Sequence, residues 1–351
     1  MKWYDAAEAP FKIYGLPFFE TEHVYRRLPL NPPAPLPPSV ESLCGIPAGG
    51  QVRFRARFRS MALRVTMEHA PKMTKTDMPP MGLCGFDCYL NRAGEEPFYI
   101  ATASPRNRED FLQVYEARVL EMDEPDDYFV TLNMPLYCRL VKLEVGLDDN
   151  AAVSEGEPFP PGRIVVYGSS IMHGCSASRP GMLSTNILSR WMNREFINLG
   201  FSGNAKAEPE VALAMRRITD VSLIVVEAAN SPDAAWLEER LPRFLELLRE
   251  VYPTVPILVW QIADFARFIV RPKEAAVFAA KREVEEKTVR SRIAAGDRHI
   301  SIARMSYEDE FMGHDLSREA TVDGTHPTNL GFAMMAKKLY PILTSILNED
   351  K

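Results

Sequence analysis

The chain has 351 residues, a net charge of −6, 46% hydrophobic residues and 25% charged residues. This length allows two domains with separate cores, and the acidic balance argues against a dedicated nucleic-acid-binding face. The sequence has no apolar run of about 18 residues and starts without a secretory pattern, so we expect no membrane span and a cytoplasmic location, or secretion if a leader has been removed.

The cysteines and histidines give no metal pattern. Five cysteines, an odd number in a long chain, do not read as a disulfide framework. Cys84 and Cys88 have the spacing of a metal-binding pair, but no second pair follows, and we interpret the cysteines as buried thiols. The sequence therefore predicts neither a metal nor a cofactor.

Residues 1–155 are rich in proline and in short alternating runs. The stretch NPPAPLPP at 31–38 cannot form a helix, because proline removes a backbone donor and fixes an extended conformation. Arginines recur between 53 and 64 and indicate the solvated face of one strand. Strand candidates lie at 51–58, 63–67, 87–90, 128–132 and 140–145. Many short strands separated by turn residues predict an antiparallel β-sandwich.

Residues 160–351 alternate between apolar strands and amphipathic helices. Strand candidates lie at 164–167, 196–200, 223–228, 257–261 and 299–303, and helix candidates at 181–194, 208–219, 233–252 and 275–295. Apolar strands that alternate with helices predict a parallel sheet covered on both faces, with ligands bound beyond the carboxyl ends of the strands. We expect the domain border near residues 151–161.

The segment YGSSIMHG at 167–174 follows the first of these strands. It predicts a strand that ends at Gly168, a turn that lifts the Ser170 hydroxyl toward solvent, and a helix that starts further on. A hydroxyl in that place can act as a nucleophile in acyl transfer.

Donors for an oxyanion follow the first, second and third strands. They are the backbone N–H of Ser170, the N–H of Gly203, where glycine allows close approach, and the side-chain amide of Asn230. A general base is supplied by DGTH at 323–326, because a spacing of three residues lets one loop present Asp323 and His326 together. We expect Pro327 to open the last helix.

Other residues offer alternatives. Ser202 resembles a nucleophile in GxSxG, but Asn204 replaces the closing glycine. His173 lies too close to Ser170 in sequence to reach back to it and is expected at the surface or in a pocket wall. His314 could line the site or lie in an ordinary loop. The segment 264–282 could close over a substrate or pack on the core.

These residues resemble the four blocks of the SGNH (GDSL-type) hydrolases. The serine is Ser170 in GSS at 168–170, the glycine is Gly203 in NLGFSGN at 198–204, the asparagine is Asn230, and the histidine is His326 with Asp323. The resemblance implies a flavodoxin-like three-layer α/β domain over 160–351.

Other segments of this chain resemble one particular branch of that family. ASRPGM at 177–182 and EPEV at 208–211 look like that branch, which carries a smaller N-terminal domain with a GxDLY signature. Here the signature stands as GFDCY at 85–89, and WYDA at 3–6 and TEH at 21–23 are similar as well.

Two positions depart from the family pattern. Ser169 replaces the usual Asp of Gly-Asp-Ser. Members of the branch that these segments resemble tend to have a small hydroxyl residue at this position. AANS at 228–231 keeps Asn230 but lacks the neighbours of the usual Gly-x-Asn-Asp block.

The resemblance implies a serine esterase that acts on a small acyl group, with acetyl on a carbohydrate as the expected substrate. An acyltransferase of the same fold and a non-catalytic carbohydrate-binding protein are the alternatives. We expect an acyl ester or acetylated saccharide as partner, no nucleic acid and no membrane; a homo-oligomer stays open.

Overall fold

The described residues form an eight-stranded antiparallel sheet, a five-stranded parallel sheet and a two-stranded ribbon. The computed structural model describes residues 1–69, 77–105, 113–307, 310–311 and 314–349. The strands in this part of the chain are β1 Lys2–Asp5, β2 Lys12–Tyr14, β3 Gln51–Met67, β4 Phe86–Asn91, β5 Phe98–Ala103, β6 Val114–Asn133, β7 Leu140–Leu147, β8 Ala152–Ser154, β9 Arg163–Gly168, β10 Phe196–Gly200, β11 Val221–Val226, β12 Ile257–Gln261, β13 Ile300–Arg304, β14 Glu310–Phe311 and β15 His314–Asp315. The α-helices are α1 Phe19–Glu22, α2 Pro38–Cys44, α3 Pro80–Cys84, α4 Ser170–His173, α5 Ser184–Met192, α6 Pro209–Met215, α7 Ala234–Val251, α8 Pro272–Ala294 and α9 Asn329–Glu349.

Two long strands organise the antiparallel sheet. Its order is β1-β7-β3-β6-β4-β5, with β2 and β8 also paired to β3. The pairing of β3 with β6 shifts register between Phe58 and Ser60, as a bulge does where a strand bends. Along β3 the side chains alternate, so that Phe54 and Phe58 are buried while Arg55 and Arg57 are exposed. The arginine pattern is therefore the solvated face of a strand, as the sequence predicts.

The parallel sheet has the order β10-β9-β11-β12-β13. Alternate residues of β9 belong to different cores: Val166 packs in the cluster that contains residues of α5 and α9, and Val165 in the cluster that contains residues of α6 and α7. The sheet is thus covered by helices on both faces, which confirms the predicted three-layer α/β fold.

The core cluster that contains residues of α5 and α9 extends into the antiparallel sheet. It contains Phe54 of β3 together with Val166 of β9 and Phe332 of α9. All five cysteines lie in the described part of the chain, and each is buried and outside any disulfide. The two sheets therefore rest on shared apolar packing rather than on covalent links.

Two element starts differ from the sequence-based expectation. Helix α4 begins at Ser170 itself, with Ser169 as N-cap, and not further on. Helix α9 begins at Asn329, so Pro327 does not open it; Pro327 instead pairs with Thr321 in an isolated antiparallel bridge. Helix α7 runs through Pro242 without interruption.

Among the described residues, one helix is long and apolar enough to cross a membrane by length and composition: α9, over Asn329–Asn348 with a mean hydropathy of 1.2. Core helices meet the same criterion. In α9 the side chains of Phe332, Met335, Leu339 and Leu343 are buried in the protein core.

Candidate active site

Close packing fixes the turn that carries Ser170. Strand β9 ends at Gly168, and the Ser169 side chain caps α4 by accepting a hydrogen bond from the Ile171 N–H at 3.4 Å. The neighbouring strand β10 ends at Gly200, where an added Cβ would lie 2.2 Å from the backbone nitrogen of His173. Glycine at position 200 therefore lets α4 lie directly on the end of the sheet.

The structure brings Ser170, His326 and Asp323 together. Ser170 Oγ lies 2.9 Å from His326 Nε2, and His326 Nδ1 lies 2.7 Å from Asp323 Oδ2. The second carboxylate oxygen of Asp323 accepts the backbone N–H groups of Thr325 and His326 at 2.9 and 2.8 Å. This arrangement orients the ring so that Nε2 faces the hydroxyl, as a nucleophile–base–carboxylate chain requires.

Hydrogen bonds outweigh burial in shifting the pKa values of Asp323 and His326. Burial raises the pKa of Asp323, but hydrogen bonds from the backbone and ring of His326 and from Thr325 outweigh it and hold the pKa below its usual value. The hydrogen bond with Cys175 raises the pKa of His326 to about 9; burial opposes this increase, and Asp323 adds to it. The basicity of the imidazole therefore depends on Cys175 as well as on Asp323.

Two of the three predicted oxyanion donors, Gly203 and Asn230, lie on linked turns. Gly203 adopts φ +74°, a conformation that favours glycine. The Asn230 side-chain amide donates to the backbone oxygen of Asn204 at 2.7 Å, which ties the turn after β11 to the turn after β10. The amide carries a second hydrogen with which it can donate to a substrate oxygen.

Glu227 is a functional candidate that sequence reasoning missed. Its carboxylate is fully buried and accepts the backbone N–H groups of Ser169 and Ala229, each at 2.7 Å. Lys281 of α8 donates to the backbone oxygen of Ala229 at 2.6 Å. Burial raises the pKa of Glu227, against the hydrogen bonds from Ser169 and Ala229 and the charge of Lys281. The only sequence signal was an acidic residue at the end of an apolar strand.

The Ser202–His173 pair is the structural rival to Ser170–His326. Ser202 Oγ lies 3.2 Å from His173 Nδ1 and 2.6 Å from the Tyr137 hydroxyl. His173 is fully buried rather than at the surface, and its Nε2 lies 2.8 Å from the Leu136 carbonyl oxygen. A carbonyl does not stabilise an imidazolium as a carboxylate does, so this pair is the weaker acyl-transfer site.

Two further alternatives from the sequence were the segment 264–282 and His314. In the segment 264–282, Arg267 donates to the Gly324 carbonyl oxygen at 2.9 Å, beside Asp323, and Phe268 packs on Phe278. This segment therefore contacts the loop that carries the candidate base. The side chain of His314 lies outside the part of the chain that the structure describes.

The signature of the antiparallel domain contacts the catalytic domain. Asp87, fully buried, accepts hydrogen bonds from Arg179 at 2.7 Å and from the Gly181 N–H at 2.6 Å. Ser178, in the same segment, donates its N–H to Asn329, three residues after His326. One segment thus joins Asp87 to the helix that follows the candidate base.

The fold and these residues define a hydrolase with a three-layer α/β architecture and a serine at the end of its first parallel strand. The chain matches the model of the GDSL-like Lipase/Acylhydrolase family over residues 162–344, and it belongs to that family. Residues 1–153 match the model described as the N-terminus of Esterase_SGNH_hydro-type, with the GxDLY signature. The protein is an SGNH-type ester hydrolase. No curated protein sequence matches it significantly.

Solved structures with the same fold include both hydrolases and a transferase. A candidate GDSL-like lipase from Bacteroides ovatus is 29% identical with a TM-score of 0.87, over 99% of this chain and 98% of that one. The salicylyl-acyltransferase SsfX3 from a tetracycline biosynthetic pathway is 17% identical with a TM-score of 0.75, over 98% and 97%. A family two carbohydrate esterase from Cellvibrio japonicus is 12% identical with a TM-score of 0.61, over 100% and 99%.

Proposed function

We propose that the protein is a serine esterase that hydrolyses a small acyl ester, with acetyl as the acyl group and a carbohydrate as the alcohol. The observation that supports this proposal most is the chain of contacts from Ser170 through His326 to Asp323, at 2.9 and 2.7 Å. A carbohydrate esterase among the proteins of similar fold is compatible with an acetylated saccharide as substrate.

In the proposed reaction, Ser170 Oγ attacks the ester carbonyl carbon while His326 Nε2 takes the hydroxyl proton. Asp323 keeps the ring oriented and stabilises the imidazolium. The N–H groups of Ser170 and Gly203 and the amide of Asn230 donate to the oxyanion of the tetrahedral intermediate. Its collapse expels the alcohol, which receives the proton from His326 and leaves an acyl-enzyme on Ser170. Water, deprotonated by His326, then attacks the acyl carbon. The bond from this carbon to Ser170 Oγ breaks, the acid leaves, and Ser170 Oγ takes back the proton from His326.

The second candidate is an acyltransferase that uses the same acyl-enzyme with an acceptor alcohol in place of water. The overall similarity to SsfX3, across nearly the whole of both chains, favours its consideration. Product analysis after incubation of an acyl ester with and without a sugar acceptor separates the two activities, because only the transferase forms a new ester.

The test of the proposed function is the release of p-nitrophenol from its acetate ester. Ser170→Ala should lower the rate by at least about 10⁴-fold, since no nucleophile remains. Ser202→Ala, the matched control from the rival pair, should retain most of the activity. Activity that persists in Ser170→Ala and disappears in Ser202→Ala would assign the nucleophile to the rival pair. A wild-type protein that turns over no acyl ester would favour the non-catalytic carbohydrate-binding alternative.

A further inference from the structure

Three side chains with metal-binding atoms meet beside Ser170. Asp77, Cys175 and His326 each offer one such atom, and these atoms lie within 4.8 Å of one another. Cys175 Sγ lies 3.3 Å from Asp77 Oδ2. The cluster joins the antiparallel domain, the segment after α4 and the loop of the candidate base, three segments that are distant in sequence.

We propose that Asp77, Cys175 and His326 form a Zn²⁺-binding site whose occupation inhibits the enzyme. Nitrogen, sulfur and oxygen ligands of this kind are those that zinc uses in proteins. The usual zinc–ligand bond lengths place tetrahedral ligand atoms about 3.4–3.6 Å apart, so small side-chain movements suffice. A thiolate and a carboxylate also balance the charge of the divalent ion.

The residues around the cluster already hold two of the ligands in place. Asp323 Oδ2 lies 2.7 Å from His326 Nδ1, which leaves Nε2 as the metal-binding nitrogen. The Ser176 hydroxyl donates to Asp77 Oδ2 at 2.7 Å. Metal-bound histidines characteristically have such a carboxylate on the other ring nitrogen, and such outer contacts raise metal affinity.

Inhibition follows from the identity of one ligand. His326 Nε2 is the atom that takes the proton of Ser170, and its lone pair cannot bind zinc and accept that proton together. The inhibitory effect rests on the proposed function, whereas zinc binding itself does not. The Ser170 hydroxyl or a water molecule supplies the fourth position of the tetrahedron.

The first experiment titrates Zn²⁺ against the esterase activity of metal-free protein, with each variant compared to its own metal-free rate. Zinc should inhibit the wild type, and a chelator should restore activity. Cys175→Ala and Asp77→Asn should each raise the half-inhibitory Zn²⁺ concentration by at least about tenfold, since each removes a ligand. Cys44→Ala, which removes a buried thiol of α2, is the matched control and should leave inhibition unchanged. Mg²⁺, which prefers oxygen ligands, should not inhibit.

The second experiment measures binding without activity. Co²⁺ added to Ser170→Ala should produce the absorption band of a cobalt–thiolate bond, and the band should disappear in the double variant Ser170→Ala/Cys175→Ala. Absence of the band in Ser170→Ala, or its persistence without Cys175, would overturn the proposal whether or not the protein is an esterase. Equal zinc inhibition of wild type and Cys175→Ala would overturn it as well.

Discussion

Asp87 accepts the backbone N–H of Gly181 at 2.6 Å, across the contact between the antiparallel domain and the catalytic domain. The same carboxylate oxygen lies 2.7 Å from Arg179, and Asp87 is fully buried. Asp87, in the signature of the first domain, therefore anchors the segment that follows the turn of Ser170. This contact gives the signature segment at 85–89 a physical role in the assembly of the site.

Asp87→Asn should destabilise the protein by about 3–5 kcal/mol, because it leaves the partly buried Arg179 opposite a neutral amide. Urea unfolding measures this loss. Asp127→Asn is the matched control: it removes an exposed pair with Arg55 and should cost at most about 1 kcal/mol. Equal losses in the two variants would contradict an anchoring role for Asp87.

The pH dependence of kcat/KM should report the protonation of the His326 imidazole. Only the neutral imidazole can take the Ser170 proton, and a raised pKa keeps the ring protonated to higher pH, so activity should rise with pH toward about 9. Cys175→Ala removes the largest cause of the raised His326 pKa. The rise of activity with pH, which is the acidic limb of the profile, should therefore move to lower pH. The measurement is a pH–rate profile in the presence of a chelator; an unchanged limb in the variant would show that Cys175 does not influence the base.

Asn230→Ala should lower kcat by about 10²–10³-fold with little change in KM, since the amide is proposed to donate to the oxyanion and not to the ground-state ester. Steady-state kinetics with a p-nitrophenyl ester measure both constants. Asn150→Ala, which changes an exposed asparagine between β7 and β8, is the control. A rise in KM without a fall in kcat would assign Asn230 to substrate binding instead.

Glu227→Gln should cost about 1–3 kcal/mol of stability, because an amide has one acceptor oxygen where the carboxylate accepts two backbone N–H groups, and one of these would stay buried without a partner. It should also reduce kcat, since Ser169 precedes the nucleophile. Unfolding and kinetics of the same preparations test this, with the exposed Glu239→Gln of α7 as control. Wild-type values for both quantities would refute the proposed positioning effect.

Much of the fold follows from local pattern. Apolar strands alternating with amphipathic helices predicted the three-layer domain, and the ends of β9, β10 and β11 placed Ser170, Gly203 and Asn230 near one edge of a sheet. The pairing of Ser170 with His326 does not follow from this pattern, because His326 lies in the loop between β15 and α9 and not at the end of a strand of the parallel sheet; it was predicted from the DGTH spacing and the family resemblance.

The remaining features depend on contacts between segments that are distant in sequence. Asp77 reaches Cys175 and Ser176 from the other domain, and Asp87 reaches Gly181 in the same way. Periodicity carries no information on such contacts. Element starts were missed for a different reason: capping by Ser169 begins α4 at Ser170, and a bridge to Thr321 occupies Pro327 before α9 starts.

The most direct test of the account is labelling with a fluorophosphonate, followed by digestion and mass spectrometry. The reagent reacts with a serine hydroxyl that a neighbouring base activates. The account predicts one label on the peptide that contains Ser170, with labelling slowed by several orders of magnitude in His326→Ala. A label on Ser202, or equal labelling rates in wild type and His326→Ala, would contradict it.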